Sequence, residues 1–244
     1  MNARGLGLLG QKVGMTQTFD SLGRAVGATV VVAGPCTVTR IKTAETDGYS
    51  AVQAAFREEP KPARLGRPRA GVYAKLGIPA HRILAEFRPT APVGDLAPGA
   101  KLTVGLFKPG DRVDVVGHSK GHGFQGVVKR HGFKGGPDTH GSMSHRAPGS
   151  IGSSTDPGHT LRGTRMGGRH GGNSTTSQNL EVLRVDAERD LLVLKGAVPG
   201  AVGTFIRITP SVKRKAPSAR RLWVEVRNLD GGAKTAVKKA PAKK

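Results

Sequence analysis

Between Gly117 and Asn173 runs a stretch that cannot build a globular core by itself: GHSKGHGFQGVVKRHGFKGGPDTHGSMSHRAPGSIGSSTDPGHTLRGTRMGGRHGGN. It holds 16 glycines, 8 Lys+Arg and 7 of the chain's 8 histidines, against two acids, Asp138 and Asp156. Its only aliphatic residues are Val127, Val128, Ile151 and Leu161. Ordering a backbone costs about 1–2 kcal/mol per residue, which so little apolar surface does not offset. The stretch is therefore expected to become ordered only against a partner. A long insertion of this kind in a compact domain is either functional or disordered.

The partner class follows from charge. Lys+Arg number 39 and Asp+Glu 17, a formal charge of +22 with neutral histidines. A chain this basic neutralises a polyanion, either nucleic acid or an anionic surface. No stretch approaches 18 consecutive apolar residues, so a membrane-spanning helix is not expected. Cys36 is the only cysteine, which excludes an internal disulfide and a cysteine-based zinc cluster and is consistent with a reducing compartment. It reads most simply as a small buried hydrophobe. Glycines and polar residues interrupt MNARGLGLLGQKVGMTQ, so no secretory leader is expected, and the chain reads as cytosolic and mature from Met1.

Core-forming text flanks the basic stretch on both sides. From Leu6 to Arg57, runs rich in Val, Ile and Thr are punctuated by Gly23, Gly34-Pro35 and Asp47-Gly48, the pattern of short antiparallel strands. The expectation is a mainly β fold, barrel or sandwich. Residues 1–57 are read as its first part. Residues 58–100 are read as a small mixed α+β insertion, with a Pro-rich basic connector, helical turns at Gly71–Leu76 stopped by Gly77 and Pro79, and a strand over Arg82–Arg88. Residues 101–116 resume the strands, 117–178 form the extended loop, and 179–212 complete the fold. Residues 213–244 are a basic tail in which Leu222, Val224 and Val226 alternate like a strand, with Trp223 on its other face. Such tails commonly touch nucleic acid.

Two motifs suggest chemistry and fail on context. Gly121-His122-Gly123-Phe124-Gln125-Gly126 has dinucleotide-binding spacing, but a Rossmann turn must open a long helix, and Gly132, Gly135, Gly136 and Pro137 follow at once. The histidines lack metal-site spacing and have only two acids to orient them, and Ser144-His145 has no third group. No catalytic, metal or cofactor-binding residue is assigned. The better reading is electrostatic: Lys and Arg neutralise phosphates, His, Ser and Thr bond sugar and phosphate oxygens, and glycines admit close backbone approach. RNA fits, because its recognition rests on shape, backbone and 2′-OH, and no helix-turn-helix, zinc finger or basic zipper is legible.

Four blocks in order carry a resemblance: GLLGQKVGMTQTF, FKPGDRVDVVGHSKGHGFQGVVKR, THGSMSHRAPGSIG and LEVLRVDAERDLLVLKGAVPG. Together, from about Gly5 to Pro210, they are similar to the bacterial large-subunit ribosomal protein L-three family. The most specific element is S-K-G-x-G-F-x-G-x-x-K-R at Ser119–Arg130. The resemblance implies a translation-protein-type β-barrel on the subunit surface. It also implies a long loop that penetrates large-subunit (23S) rRNA toward the peptidyl transferase centre, neighbouring large-subunit proteins as partners, a cytoplasmic ribosomal location and a role in early assembly without enzymatic activity. Matching motifs place Lys120, His122, Lys129, Arg130, His140, His145 and Arg146 in the RNA-embedded loop. Lys134 lies in the same loop, and Arg162, Arg165, Arg169 and His170 join the set on charge and position.

The sequence departs from that pattern twice. The loop SIGSSTDPG has Thr155 where many family members have a methylated glutamine, so that modification is expected to be absent. The tail beyond Lys215 is also longer than the pattern, and its partner is open. A general nucleic-acid-compacting protein and a nucleotide-dependent oxidoreductase using the Gly121–Gly126 turn remain as alternatives.

Overall fold

The computed structural model of the chain describes residues 5–19, 23–89 and 96–213. The alternating tail residues Leu222, Val224 and Val226, and the basic segment after Lys213, lie outside them. The first strands follow the turn signals closely: β1 (Leu8–Phe19), β2 (Ala25–Ala33), β3 (Cys36–Lys42) and β4 (Ala51–Glu58), with one helical turn, α1 (Ala44–Asp47), between the last two. Next come α2 (Arg67–Leu76), β5 (His81–Phe87) and the short β6 (Lys101–Leu102). β7 (Arg112–His118) leads out to the basic stretch, which contains β8 (Phe124–Gln125), α3 (Val127–His131) and β9 (Gly168–Arg169). β10 (Ser174–Asp186), β11 (Leu191–Lys195) and β12 (Phe205–Pro210) complete the described chain.

The expected mainly β fold is what the structure has. Six strands close into a barrel in the order β1-β12-β7-β10-β11-β2, and every pairing is antiparallel. Strand alternation sends Leu8, Val31, Val113, Val115, Leu192, Leu194, Ile206 and Ile208 inward, where each is almost wholly buried. Burial of side chains this size contributes about 1.5–3 kcal/mol each. Gly7 admits the start of β1 to the barrel edge, because a Cβ there would overlap the Ile208 carbonyl and the Phe87 ring.

The hydrogen-bond ladders divide the chain differently from its linear reading. β3 and β4, inside residues 1–57, belong to a second four-stranded sheet in the order β5-β4-β3-β6. Of residues 101–116, Lys101 and Leu102 join that sheet through Thr37 and Cys36, and only β7 enters the barrel. The two sheets share one core, since Val38, Val52, Phe56 and Phe87 cluster with Leu8, Val113 and Ile208. Phe56 meets Phe205 edge-on at 6.2 Å between ring centroids.

Two further boundaries move. α2 starts at Arg67, not Gly71, because Pro68 stands in the first helical turn, where a missing N–H costs nothing. Gly77 ends α2 as expected, in the left-handed conformation at φ 63°. The β7–β10 ladder runs out to His118 opposite Ser174, so the segment that leaves the barrel is 119–173 rather than 117–178.

Candidate nucleic-acid interface

The extension leaves as a ribbon continuous with β7 and β10. The Ser119 N–H donates to the Asn173 carbonyl at 3.0 Å, His122 N–H to the His170 carbonyl at 2.9 Å, and His170 N–H to the Gly123 carbonyl at 2.9 Å. β8 and β9 then pair Phe124 with Arg169 and Gln125 with Gly168. Glycine makes the crossing possible: Gly171 sits at φ 74°, and a Cβ there would overlap the Lys120 carbonyl. The His122 and His170 rings stack across the ribbon with centroids 5.3 Å apart.

α3 follows, anchored by buried Val127 and ended by Gly132 in the left-handed conformation. It throws its side chains in two directions. Lys129 is exposed, whereas the Arg130 guanidinium turns back and donates to the Met166 carbonyl at 2.8 Å, lying against Gly168. His131 Nε2 reaches the same carbonyl at 3.0 Å. Past exposed Lys134, the chain folds back on itself, and the Gly136 N–H donates to the His145 carbonyl at 3.0 Å. Side chains at Gly135 or Gly136 would overlap the carbonyls of His145 and Ser144. The His145 ring bonds the Pro137 carbonyl through Nδ1 at 2.8 Å and lies 3.7 Å from Asp138, while His140 is exposed at φ 61°.

The residues selected from sequence thus fall into two groups. Lys120, Lys129, Lys134, His140, Arg146, Arg162, Arg165 and Arg169 are exposed on the extension; His122, Arg130, His145 and His170 also hold it together. They are spread along the extension rather than gathered in one cleft. The Gly121–Gly126 turn lies in an antiparallel ribbon followed by a five-residue helix, not in a βαβ unit, so its resemblance to a nucleotide-binding turn is one of spacing alone. Among the described residues no group of three His, Cys, Asp or Glu side chains is placed to hold a metal ion.

The extension is poor in acids, with eight Lys and Arg against only Asp138 and Asp156, whereas the body uses several of its acids in ion pairs. In the body, Arg40 pairs with Asp47 at 2.9 Å, Lys42 with Glu86 at 2.8 Å, Arg64 with Glu59 at 3.5 Å, and Arg112 and Lys195 with buried Glu181 at 3.5 and 3.7 Å. Bonds from Lys42 and Tyr49 hold the Glu86 carboxyl below the usual carboxylate range. On the extension, no Lys or Arg side chain has a carboxylate within salt-bridge distance among the described residues.

Three features of this surface were missed from sequence. His131 shares the Arg130 anchor. Phe124 is 79% exposed, an aromatic face open for stacking. Gly121 and Gly126 have neither a positive φ nor any atom within 4 Å of an added Cβ, so no contact among the described residues accounts for them. The last signal was present in the sequence only as glycine content; it takes coordinates to tell a glycine that a turn requires from one that it does not.

Comparison with known proteins completes the argument. The family model for ribosomal protein L3 matches residues 99–191, a range containing β7, the whole extension and β10. The large ribosomal subunit protein uL3 of Nostoc punctiforme is 50% identical over 206 residues, covering 84% of this chain and 97% of that protein. That of Trichormus variabilis is 50% identical over 208 residues, 85% and 98% of the two chains. That of Acidothermus cellulolyticus is 47% identical over 228 residues, 93% and 97%. With this identity sustained across nearly the full length of its relatives, the chain belongs to the ribosomal protein L3 family.

Proposed function

We propose that the chain is a non-enzymatic structural constituent of the large ribosomal subunit whose extension binds large-subunit rRNA. The observation that carries this is the uncompensated charge of the extension: eight lysines and arginines against two acids, with no carboxylate within salt-bridge distance of any of those cations among the described residues. Phosphate oxygens supply the missing anions. Exposed Phe124 offers a base-stacking surface, and the bare backbone at Gly121 and Gly126 admits close approach of sugar and phosphate. The barrel, read as the translation-protein type, fixes position, and the extension delivers charge into rRNA.

From the family resemblance we further infer that the protein acts early in subunit assembly and that its extension runs toward the peptidyl transferase centre. Its partners are then 23S rRNA and neighbouring large-subunit proteins, with no membrane or small-molecule substrate. The rRNA-contact set is the one named above, Lys120 through His170, with Arg130 and His145 also shaping the loop that presents the others.

Ultraviolet crosslinking of the tagged protein in its native lysate tests the reading, with sequencing of attached RNA and mapping of crosslinked peptides. The expected result is a few large-subunit rRNA sites joined to peptides within 119–173. Diffuse RNA, or preference for duplex DNA over folded rRNA at matched salt, would favour the compacting alternative.

A further inference from the structure

β1 is longer than the barrel needs. Its pairing with β12 ends at Gln11 opposite Phe205, whereas its pairing with β2 continues to Phe19 opposite Ala25. β11 accompanies β2 only as far as Ala28. The far part of the β1–β2 hairpin therefore projects as a two-stranded ribbon, and beyond Lys12 no strand lies along the outer edge of β1 among the described residues. Isolated two-stranded ribbons are marginal in water.

This edge has little of the usual protection against pairing. Natural edges carry Lys, Pro or inward charges, but Val13–Phe19 reads VGMTQTF, with only a bulge at its start. Val13, Met15 and Phe19 are 48%, 56% and 52% exposed. Met15 and Phe19 share one face by strand alternation, and between them Gln17 stands opposite Gly27. Gly14 and Gly27 each have an ordinary φ and no atom within 4 Å of an added Cβ. Gly14 stands at the bulge, which accounts for it, whereas Gly27 lies in regular pairing opposite Gln17, where a strand glycine fits close approach by another backbone.

The occupant is set by charge. From Val13 to Ala33 the only charged residues are Asp20 and Arg24, so the ribbon has no cation excess with which to hold a phosphate backbone. Among the described residues it offers main-chain groups with no strand beside them, at strand spacing, and alternating apolar side chains, the requirements for β-strand addition. We infer that an extended, uncharged segment of another large-subunit protein adds as a strand along Val13–Phe19, with its side chains over Met15 and Phe19. This interface is separate from the rRNA-binding extension but rests on the proposed place in the subunit.

The test uses tagged full-length chain incorporated into subunits in cells, with Met15→p-benzoylphenylalanine as the photocrosslinking probe and Val202→p-benzoylphenylalanine as an exposed control. Co-sedimentation with large subunits reads the premise separately; a chain absent from subunits removes the proposed role and this interface together. Within subunits, the expected result is a crosslink from position 15 to one peptide of another subunit protein, with amides of 13–19 gaining hydrogen-exchange protection relative to the free chain. A nucleotide adduct, a crosslink to a second copy, or a yield no higher than the control overturns the inference. As an independent reading, Met15→Lys with Phe19→Lys leaves the buried barrel residues untouched. It should lower incorporation against the unaltered chain about ten- to a hundredfold, the scale of failing to cover the exposed halves of two apolar side chains, without changing the free chain's unfolding midpoint.

Discussion

Cys36 is buried where β3 begins, its thiol bonded both ways to the Leu9 backbone, with 3.4 Å to the N–H and 3.4 Å to the carbonyl. Burial pushes the thiol from its ordinary 9.0 up to about 11. Below pH 9.0 the thiol is neutral in folded and unfolded chains alike, and the contribution to stability is intact. As pH rises toward about 11 the unfolded chain ionises first, and up to roughly 3 kcal/mol is lost. Urea unfolding across that window should show this steeper loss in the native chain and not in Cys36→Ala. A thiol reagent at neutral pH should leave the folded protein unmodified. Gly171 makes a different demand: Gly171→Ala places a non-glycine residue at φ 74°, costing on the order of 1–3 kcal/mol before its overlap with the Lys120 carbonyl is counted. Hydrogen exchange should show lost protection at the His122 and His170 amides with barrel amides unchanged, and affinity for an rRNA fragment should fall about tenfold.

At the scale of elements, α3 separates two kinds of cation that adjoin in sequence. Lys129→Ala should flatten the log–log salt dependence of rRNA-fragment binding by about 0.7–0.9, one phosphate's worth, leaving the extension's own hydrogen bonds in place. Arg130→Lys keeps the charge but loses the guanidinium fork that reaches the Met166 carbonyl; it should lower affinity with little change in salt slope. Titrations at several salt concentrations check both. The sequence made many strands legible because Gly34-Pro35, Asp47-Gly48 and Gly77 mark turns that the chain makes. It did not reveal that β3 and β4 leave the barrel, because alternation reports which face is buried and is silent on which distant strand supplies the edge. The Pro-rich text before Gly71 read as connector, yet Pro68 stands in the first turn of α2, where the residue that breaks a helix interior is welcome. The extension was legible as material, by glycine and charge. Its inner architecture was not, because the Arg130–Met166 and Gly136–His145 contacts have no periodic signature.

Across the whole molecule, one apolar core unites barrel and second sheet, while the extension contributes little to it. Under the proposed role, ordering the extension on RNA would cost several kcal/mol of the gross binding energy. Limited proteolysis of the free chain should therefore cut within 119–173 and leave the flanking parts associated, and rRNA should protect the cleaved sites. Equal resistance of both regions without RNA would count against the division. The extension also departs from and returns to neighbouring strands, with His118 opposite Ser174. A chain in which a short turn replaces 119–173 should therefore keep the barrel and its unfolding midpoint. Such an arrangement places the extension outside the constraints that govern folding of the barrel, so under the proposed role a substitution on its exposed face is felt in rRNA binding with little penalty to the scaffold.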